Sequence, residues 1–481
     1  MSKPHKNSRI IIIGAGPSGL FAAHFLSKKG YRNIQILEKE GHVGGLCRTI
    51  TSQGSSFDLG ANYLTPAYKL TLALANEVGA KVYSERPFVA MQVPENPQSP
   101  VVYTPIYDAL RIDKTTGKPV PWLTFIGATL KYIWLRFWLK RIVDRPTFDG
   151  IERYKDGLLC QPFSHWLTRN NLQCLATSFE LPITQMGFGY LSHTPAVYAL
   201  KFMTLSSYIP MVLKEAPYIG SWIAWPKRFK FGYQRMWQRV AWRYDVRLNT
   251  SIKKITRDPD KVHLQVESLQ ENLSQTNTGT QEIEADYLIF ACPLQPLTAE
   301  GANSAMIALS DEEQDLFKKI HITSYCMTTL QIENITMGNG KSGPLASIFP
   351  VPTLDNDRPV ATYGVAKQWA DNKLVQFYTS TLSTDLETDV QQLVLADVSK
   401  ITLQMNGKAV EEGGWKTFDR WTYFQHVQTD DMLGSDGKPG WYTRLEKLQG
   451  QQNTFYVGGA TNFELIEPIG MYTKRLVERF F

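Results

Sequence analysis

The sequence predicts an α/β fold organised on a Rossmann-like dinucleotide-binding unit. Three observations predict it. Ile10–Ile13 is an apolar β-branched run, as a buried parallel strand should be, and it runs straight into Gly14-Ala15-Gly16-Pro17-Ser18-Gly19. A helical pattern carrying Leu20, Phe21, Phe25 and Leu26 follows, closed by Gly30, and then a second apolar run, Ile34–Leu37, ends at Glu38. At the far end, residues 453–481 repeat the order of strand, Gly458-Gly459, loop and helix.

Each part of the first stretch has a physical role. Gly14 permits the tight turn, and Gly16 lets the main chain approach a pyrophosphate seated on the helix N-terminus, beside Pro17 and Ser18. Gly19 lets helix and strand pack closely. Glu38 stands at the spacing where a carboxylate accepts a ribose hydroxyl, with Lys39 beside it. The next stretch, Gly41-His42-Val43-Gly44-Gly45-Leu46-Cys47-Arg48, has two adjacent glycines where the chain can again pass close to a ligand.

The chain has 481 residues, 43% hydrophobic and 20% charged, enough for two or three domains with ample core. A net charge of +6 without clustered cations and stacking aromatics excludes nucleic acid as the expected partner. The cysteines Cys47, Cys160, Cys174, Cys292 and Cys326 are scattered, with no CxxC. That pattern predicts a reducing, cytoplasmic compartment and no metal site. The polar, basic Met1–Ser8 stretch is not a signal peptide.

Further elements follow in order. Phe57–Tyr63 reads as a strand entering a glycine turn, and 68–78 as a helix. Residues 81–93 are strand-like, and 101–104 pair back as a hairpin. Residues 120–143 are the most apolar part, with Trp122, Phe125, Tyr132, Trp134, Phe137 and Trp138 among Lys131, Arg136, Lys140 and Arg141. Four charges argue against a membrane span. Two readings stand: an interfacial helix in peripheral contact with a membrane, or a lid packed over a greasy pocket. Helices are expected over 163–176, 199–208 and 386–405. The capping box at Ser310-Asp311-Glu312-Glu313 opens a helix to Ile320. Strands are expected near 325–332, 345–349, 360–365, 374–381 and 415–424. Residues 267–281, rich in Ser, Thr, Asn and Gln, read as a solvated hairpin loop.

The two ends and the fingerprint together resemble the FAD-binding half of the flavin amine oxidase superfamily. More narrowly, the chain is similar to the polyunsaturated fatty acid isomerase group of flavoproteins. Glu38–Cys47, Gly187-Phe188-Gly189-Tyr190 with Pro195–Phe202, Lys367–Asp371, Trp421–Val427 and the segments LEKLQGQQNTFYVGG and YTKRLVERFF carry this likeness. The resemblance implies non-covalent FAD in a discontinuous domain formed by residues 1–80, 232–300 and 441–481. It implies a helical cap over 81–231 and a mixed-sheet substrate domain over 301–440. It adds Ala61, Asn62, Ile252, Cys292, Gly458, Gly459 and Ile469 to the cofactor contacts. It places Arg86 on a fatty acid carboxylate, with Met186 and Phe188 along the acyl chain.

The implied activity moves a double bond in a long-chain unsaturated fatty acid by hydride transfer to and from flavin N5. The alternative is a net oxidase or desaturase on an amine, polyene or lipid, for which Lys367 is the candidate lysine near N5. Three departures from the family pattern stand out. Leu46 replaces a basic residue, leaving Arg48 to face the pyrophosphate. Gly459 replaces an acid, leaving main-chain N–H groups there. Met186 replaces an aromatic.

Overall fold

The computed structural model describes residues 3–52, 55–84, 89–92, 102–113, 115–213, 226–268, 280–298, 300–331, 348–350, 367–368, 374–381, 391–392, 415–435 and 437–481. At its centre is a five-stranded sheet in which every neighbouring pair is parallel. Its order is Thr454–Tyr456, Tyr287–Phe290, Ile10–Ile13, Ile34–Leu37 and Asp245–Arg247. The middle strand is thus the first in the chain, and its neighbours are drawn from stretches far apart in sequence. Side chains alternate between the faces of a strand. Accordingly Ile10 and Ile12 enter one core, with Phe21, Trp237 and Leu476, while Ile11 and Ile13 enter the other, with Leu264 and Phe290. Burial on both faces explains a strand with no polar alternation.

One face carries helix Pro17–Lys28 and the final helix, Ile466–Phe480. Gly470 makes their close approach possible, since a Cβ there would lie 2.8 Å from the Phe21 ring. Buried Glu467, in the first turn of the final helix, accepts from the amides of Leu70 (2.7 Å) and Thr71 (3.0 Å). It thereby satisfies the open N-terminus of helix Lys69–Glu77. The opposite face bears an antiparallel three-stranded sheet, Thr250–Arg257, Val262–Ser268 and Thr280–Ala285.

Besides two two-stranded sheets, two further sheets are present among the described residues. Ile348–Pro350 pairs parallel with Val89–Gln92, which pairs antiparallel with Val102–Pro105. The other sheet orders Lys367–Gln368, Leu374–Thr381, Ile320–Gln331 and Trp415–Val427, with antiparallel pairings.

Several expected elements are revised. The helix expected over 163–176 stops at Arg169, because Asn171 turns left-handed at φ 50°. The helix expected over 199–208 is two helices, Ala196–Phe202 and Leu205–Leu213, bent by 62°. Thr204 restarts the chain there, its hydroxyl accepting from the Ser207 amide at 3.2 Å. The Ser310 capping box forms as expected, yet its helix ends at Phe317 and Ile320 already belongs to a strand. The expected strand at 360–365 and most of the expected helix at 386–405 lie outside the described residues.

Candidate functional site

A cavity of about 930 Å³ runs from the carboxyl ends of the parallel strands to helices Ala196–Phe202 and Leu205–Leu213. That volume is at the upper end of the roughly 300–1,000 Å³ usual for small-molecule sites. Its two ends differ chemically.

The first end is a backbone cradle. Gly14 has φ +102°, and a Cβ there would meet the Ala291 carbonyl oxygen at 2.9 Å. Gly19 is tighter, for its Cβ would stand 2.0 Å from the Gly14 carbonyl oxygen. Gly16 differs: nothing lies within 3.8 Å of a Cβ built on it, and it lines the cavity. It caps helix Pro17–Lys28, which has no acid in its first turn, so helix dipole and free amides favour an anion here. The second glycine stretch lies against the first through the Gly44 amide, which donates to the Ala15 carbonyl at 2.9 Å. Gln234 fixes that stretch, donating to Val43 O at 3.1 Å and accepting from the Thr49 amide at 3.0 Å. Glu38 accepts from the amides of Ala15 (2.7 Å) and Glu40 (3.0 Å), which holds its carboxylate at the cavity edge.

Of the cofactor residues expected from the sequence, Gly14, Gly16, Pro17, Ser18, Glu38, Lys39, Gly45, Leu46, Arg48, Ala61, Asn62, Ile252, Cys292, Gly458, Gly459 and Ile469 line this one cavity. Gly19 and Gly44 do not line it and act through packing. The Arg48 guanidinium lies 2.7 Å from the Asp419 carboxylate. The Asn62 side chain donates to the Tyr378 hydroxyl at 2.6 Å.

The second end is apolar. Met186 and Phe188 line it, together with Phe202, Met203, Met211 and Met327. The Phe188 ring packs at tilted angles against Phe202, Tyr423 and Phe463. Gly187 lets Tyr325 approach, since a Cβ there would come within 2.7 Å of its ring. Arg86 lies outside the described residues, as does the side chain of Lys367, whose main chain pairs with Gln376.

One residue the sequence reading missed is Glu464. Its carboxyl group faces the cavity beside Gly459, with Cδ 2.8 Å from where a Cβ on that glycine would be. An acid is therefore present next to the glycine pair, carried by a residue five positions later rather than by position 459. It accepts from the Gln425 amide at 2.5 Å. Burial pushes its pKa up to about 7, although that hydrogen bond pulls the other way.

The folded value exceeds the ordinary 4.5, so the folded protein holds a proton that the unfolded chain releases across that window. Stability of the cofactor-free protein is therefore expected to fall as pH rises from about 4.5 to about 7. Glu464→Gln is expected to flatten this slope, read as melting temperature against pH; an unaltered slope would show that Glu464 does not titrate in that range.

The parallel sheet, the glycine cradle at its carboxyl edge and the acid closing the second strand define a dinucleotide-binding flavoprotein. The chain belongs to the flavin containing amine oxidoreductase family, whose profile matches residues 17–462, and its cofactor is FAD. The cradle fits that group, offering free amides, a Gly16 that leaves room and a carboxylate at the ribose position.

Among relatives, an FAD-dependent oxidoreductase of Apiospora sacchari is 22% identical over 475 residues, covering 94% of this chain and 88% of its own. A polyenoic fatty acid isomerase of Ptilota filicina is 48% identical over 59 residues, 12% of either chain. Among solved structures, a CLA-producing fatty acid isomerase from P. acnes superposes with a TM-score of 0.77 at 23% identity, covering 99% of this chain and 100% of its own. Cyclohexylamine oxidase from Brevibacterium oxydans gives a TM-score of 0.63 at 14% identity, covering 98% of each chain. The amine-oxidase-like fold is thus common to an isomerase and to oxidases.

Proposed function

We propose that the protein is an FAD-dependent isomerase that moves a double bond in a long-chain polyunsaturated fatty acid. The observation that carries this reading is the continuity of the cavity, which passes from the dinucleotide cradle directly into a chamber walled by Met186, Phe188, Phe202, Met203, Met211 and Met327. Thioether and aromatic side chains suit an extended alkyl chain and adapt to its bends. The likeness in fold to one fatty acid isomerase and the short, closer sequence match to another point the same way.

In this reading residues 1–80, 232–300 and 441–481 form the cofactor domain, and the cradle residues named above hold FAD non-covalently. Bound FAD supplies a ring that can accept a hydride from an activated C–H bond and return it. The protein's own part is to fix the alkyl chain against the ring and to exclude water. Phe188 and its aromatic neighbours form the rigid side of that wall. Arg86 is the proposed partner of the fatty acid carboxylate, a pairing suited to a guanidinium fork.

A net oxidase or dehydrogenase is the second reading, favoured by the oxidase names among fold relatives. Incubation of the purified holoprotein with linoleic acid separates them. Isomerisation is expected to give a conjugated-diene absorbance without oxygen, with the flavin oxidised at the end. Lasting flavin bleaching without oxygen, then oxygen uptake in air, would replace isomerase by oxidase.

A further inference from the structure

Helix Trp122–Val143 is apolar on both faces, and only one of them is packed. Phe125, Ala128, Tyr132, Leu139 and Val143 enter the core, together with Arg136, which donates to Leu200 O and pairs with Asp144. At about 100° per residue, Leu123, Ile126, Leu130, Trp134, Phe137 and Trp138 fall on the opposite side. They are solvent-exposed, Leu123 by 87% and Trp138 by 63%. The same geometry puts Lys131 and Lys140 on the two edges of this stripe and Arg141 at its end; all three are exposed. No Asp or Glu occurs between Trp122 and Val143.

We propose that this face docks on an anionic lipid bilayer, with the helix lying in the interface and not crossing it. Among the described residues no single helix is long and apolar enough to span a membrane. Indole rings prefer the boundary between head groups and acyl chains, and cations beside them attract anionic head groups. The charges also decide against a second copy of the chain as occupant. Pairing two such faces would bring three cations on each, with no ion pair among the described residues, against those of the other.

The placement has a use. The Tyr132 hydroxyl, on the inner side of the helix, donates to Met203 O at 2.6 Å. Met203, and Ser207 and Met211 on the next helix, line the cavity. A bilayer held by the outer face would therefore lie one helix away from the apolar chamber. The docking itself stands independently of the reaction carried out there.

Flotation of the intact holoprotein with vesicles tests the proposal. Binding is expected to vesicles of roughly 3:1 phosphatidylcholine and phosphatidylglycerol, and to weaken on adding salt. The charge reversal Lys131→Glu/Lys140→Glu/Arg141→Glu is expected to weaken it by about a hundredfold or more. Leu130→Ser/Trp134→Ser/Trp138→Ser is expected to abolish it while flavin content and circular dichroism stay unchanged, because these side chains are exposed. Equal binding to pure phosphatidylcholine, or no flotation, would overturn the proposal. So would self-association that the serine variant abolishes in the absence of vesicle binding.

Discussion

Gly16→Val is expected to give a folded, colourless protein. A Cβ at this position meets no protein atom closer than Gly45 Cα at 3.8 Å. The apo fold therefore has room for the larger residue. The added methyls enter the cavity at the helix N-terminus, where a pyrophosphate would need the backbone amides. FAD affinity should fall by roughly a thousandfold, about 4 kcal/mol. Flavin content after purification and a thermal melt measure the two halves of the statement. Gly19→Ala is the contrast. Its Cβ would sit 2.0 Å from the Gly14 carbonyl, so the fold itself should fail. A yellow, stoichiometrically loaded Gly16→Val would remove the cradle from the account.

The second large effect concerns Glu313. Its carboxylate receives the Arg257 guanidinium at 2.6 and 2.8 Å, the Tyr456 hydroxyl and the Ser310 amide. Arg257 and Glu313 side chains are only 3% and 5% exposed. One carboxylate thus fastens strand Thr250–Arg257 and helix Asp311–Phe317 to strand Thr454–Tyr456 of the central sheet. Glu313→Ala strands a buried guanidinium and loses the helix cap, so about 3–5 kcal/mol of destabilisation is expected in urea unfolding. Adding Arg257→Met should recover part of it, because the stranded charge is then gone. Burial alone would raise the Glu313 pKa, but Arg257 and the other donors hold it below the ordinary value. Its contribution is therefore complete above the unfolded carboxyl pKa and is lost as pH falls through the lower folded one. In Glu313→Ala that part of the acid limb should disappear.

What could be read from the sequence was what the chain encodes locally. The strand–glycine–helix–strand unit from Ile10 to Glu38 is contiguous, so each residue's role followed from its neighbours. Sheet order was not legible, since Ile10–Ile13 pairs with Tyr287–Phe290 across most of the chain. Glu464 escaped because no periodicity marks a carboxyl that folds back beside Gly459. Helix Trp122–Val143 left two readings open for a different reason. With apolar residues all round it, only tertiary packing could show that Arg136 faces inward while Lys131, Lys140 and Arg141 face out. The bend at Thr204 was hidden likewise, because a hydroxyl cap inside an apolar stretch is a weak signal.

The strand order of the central sheet also bears on how the protein is made. Of the five strands in this sheet, the one synthesised first is the one that ends in the middle, and it needs partners on both sides. Ile34–Leu37 arrives almost at once, but the contact between Arg9 and Asp286 spans 277 positions, and that between Tyr31 and Phe481 spans 450. At about ten residues per second, the edge of an all-isoleucine strand waits roughly half a minute for Tyr287–Phe290. Through that interval it is a hydrophobic template open to wrong pairing. Yield from cells should therefore depend on chaperone supply and on slow translation at low temperature more than on the stability of the finished enzyme. FAD added during synthesis should help little, since its cradle closes only when the last strand has docked.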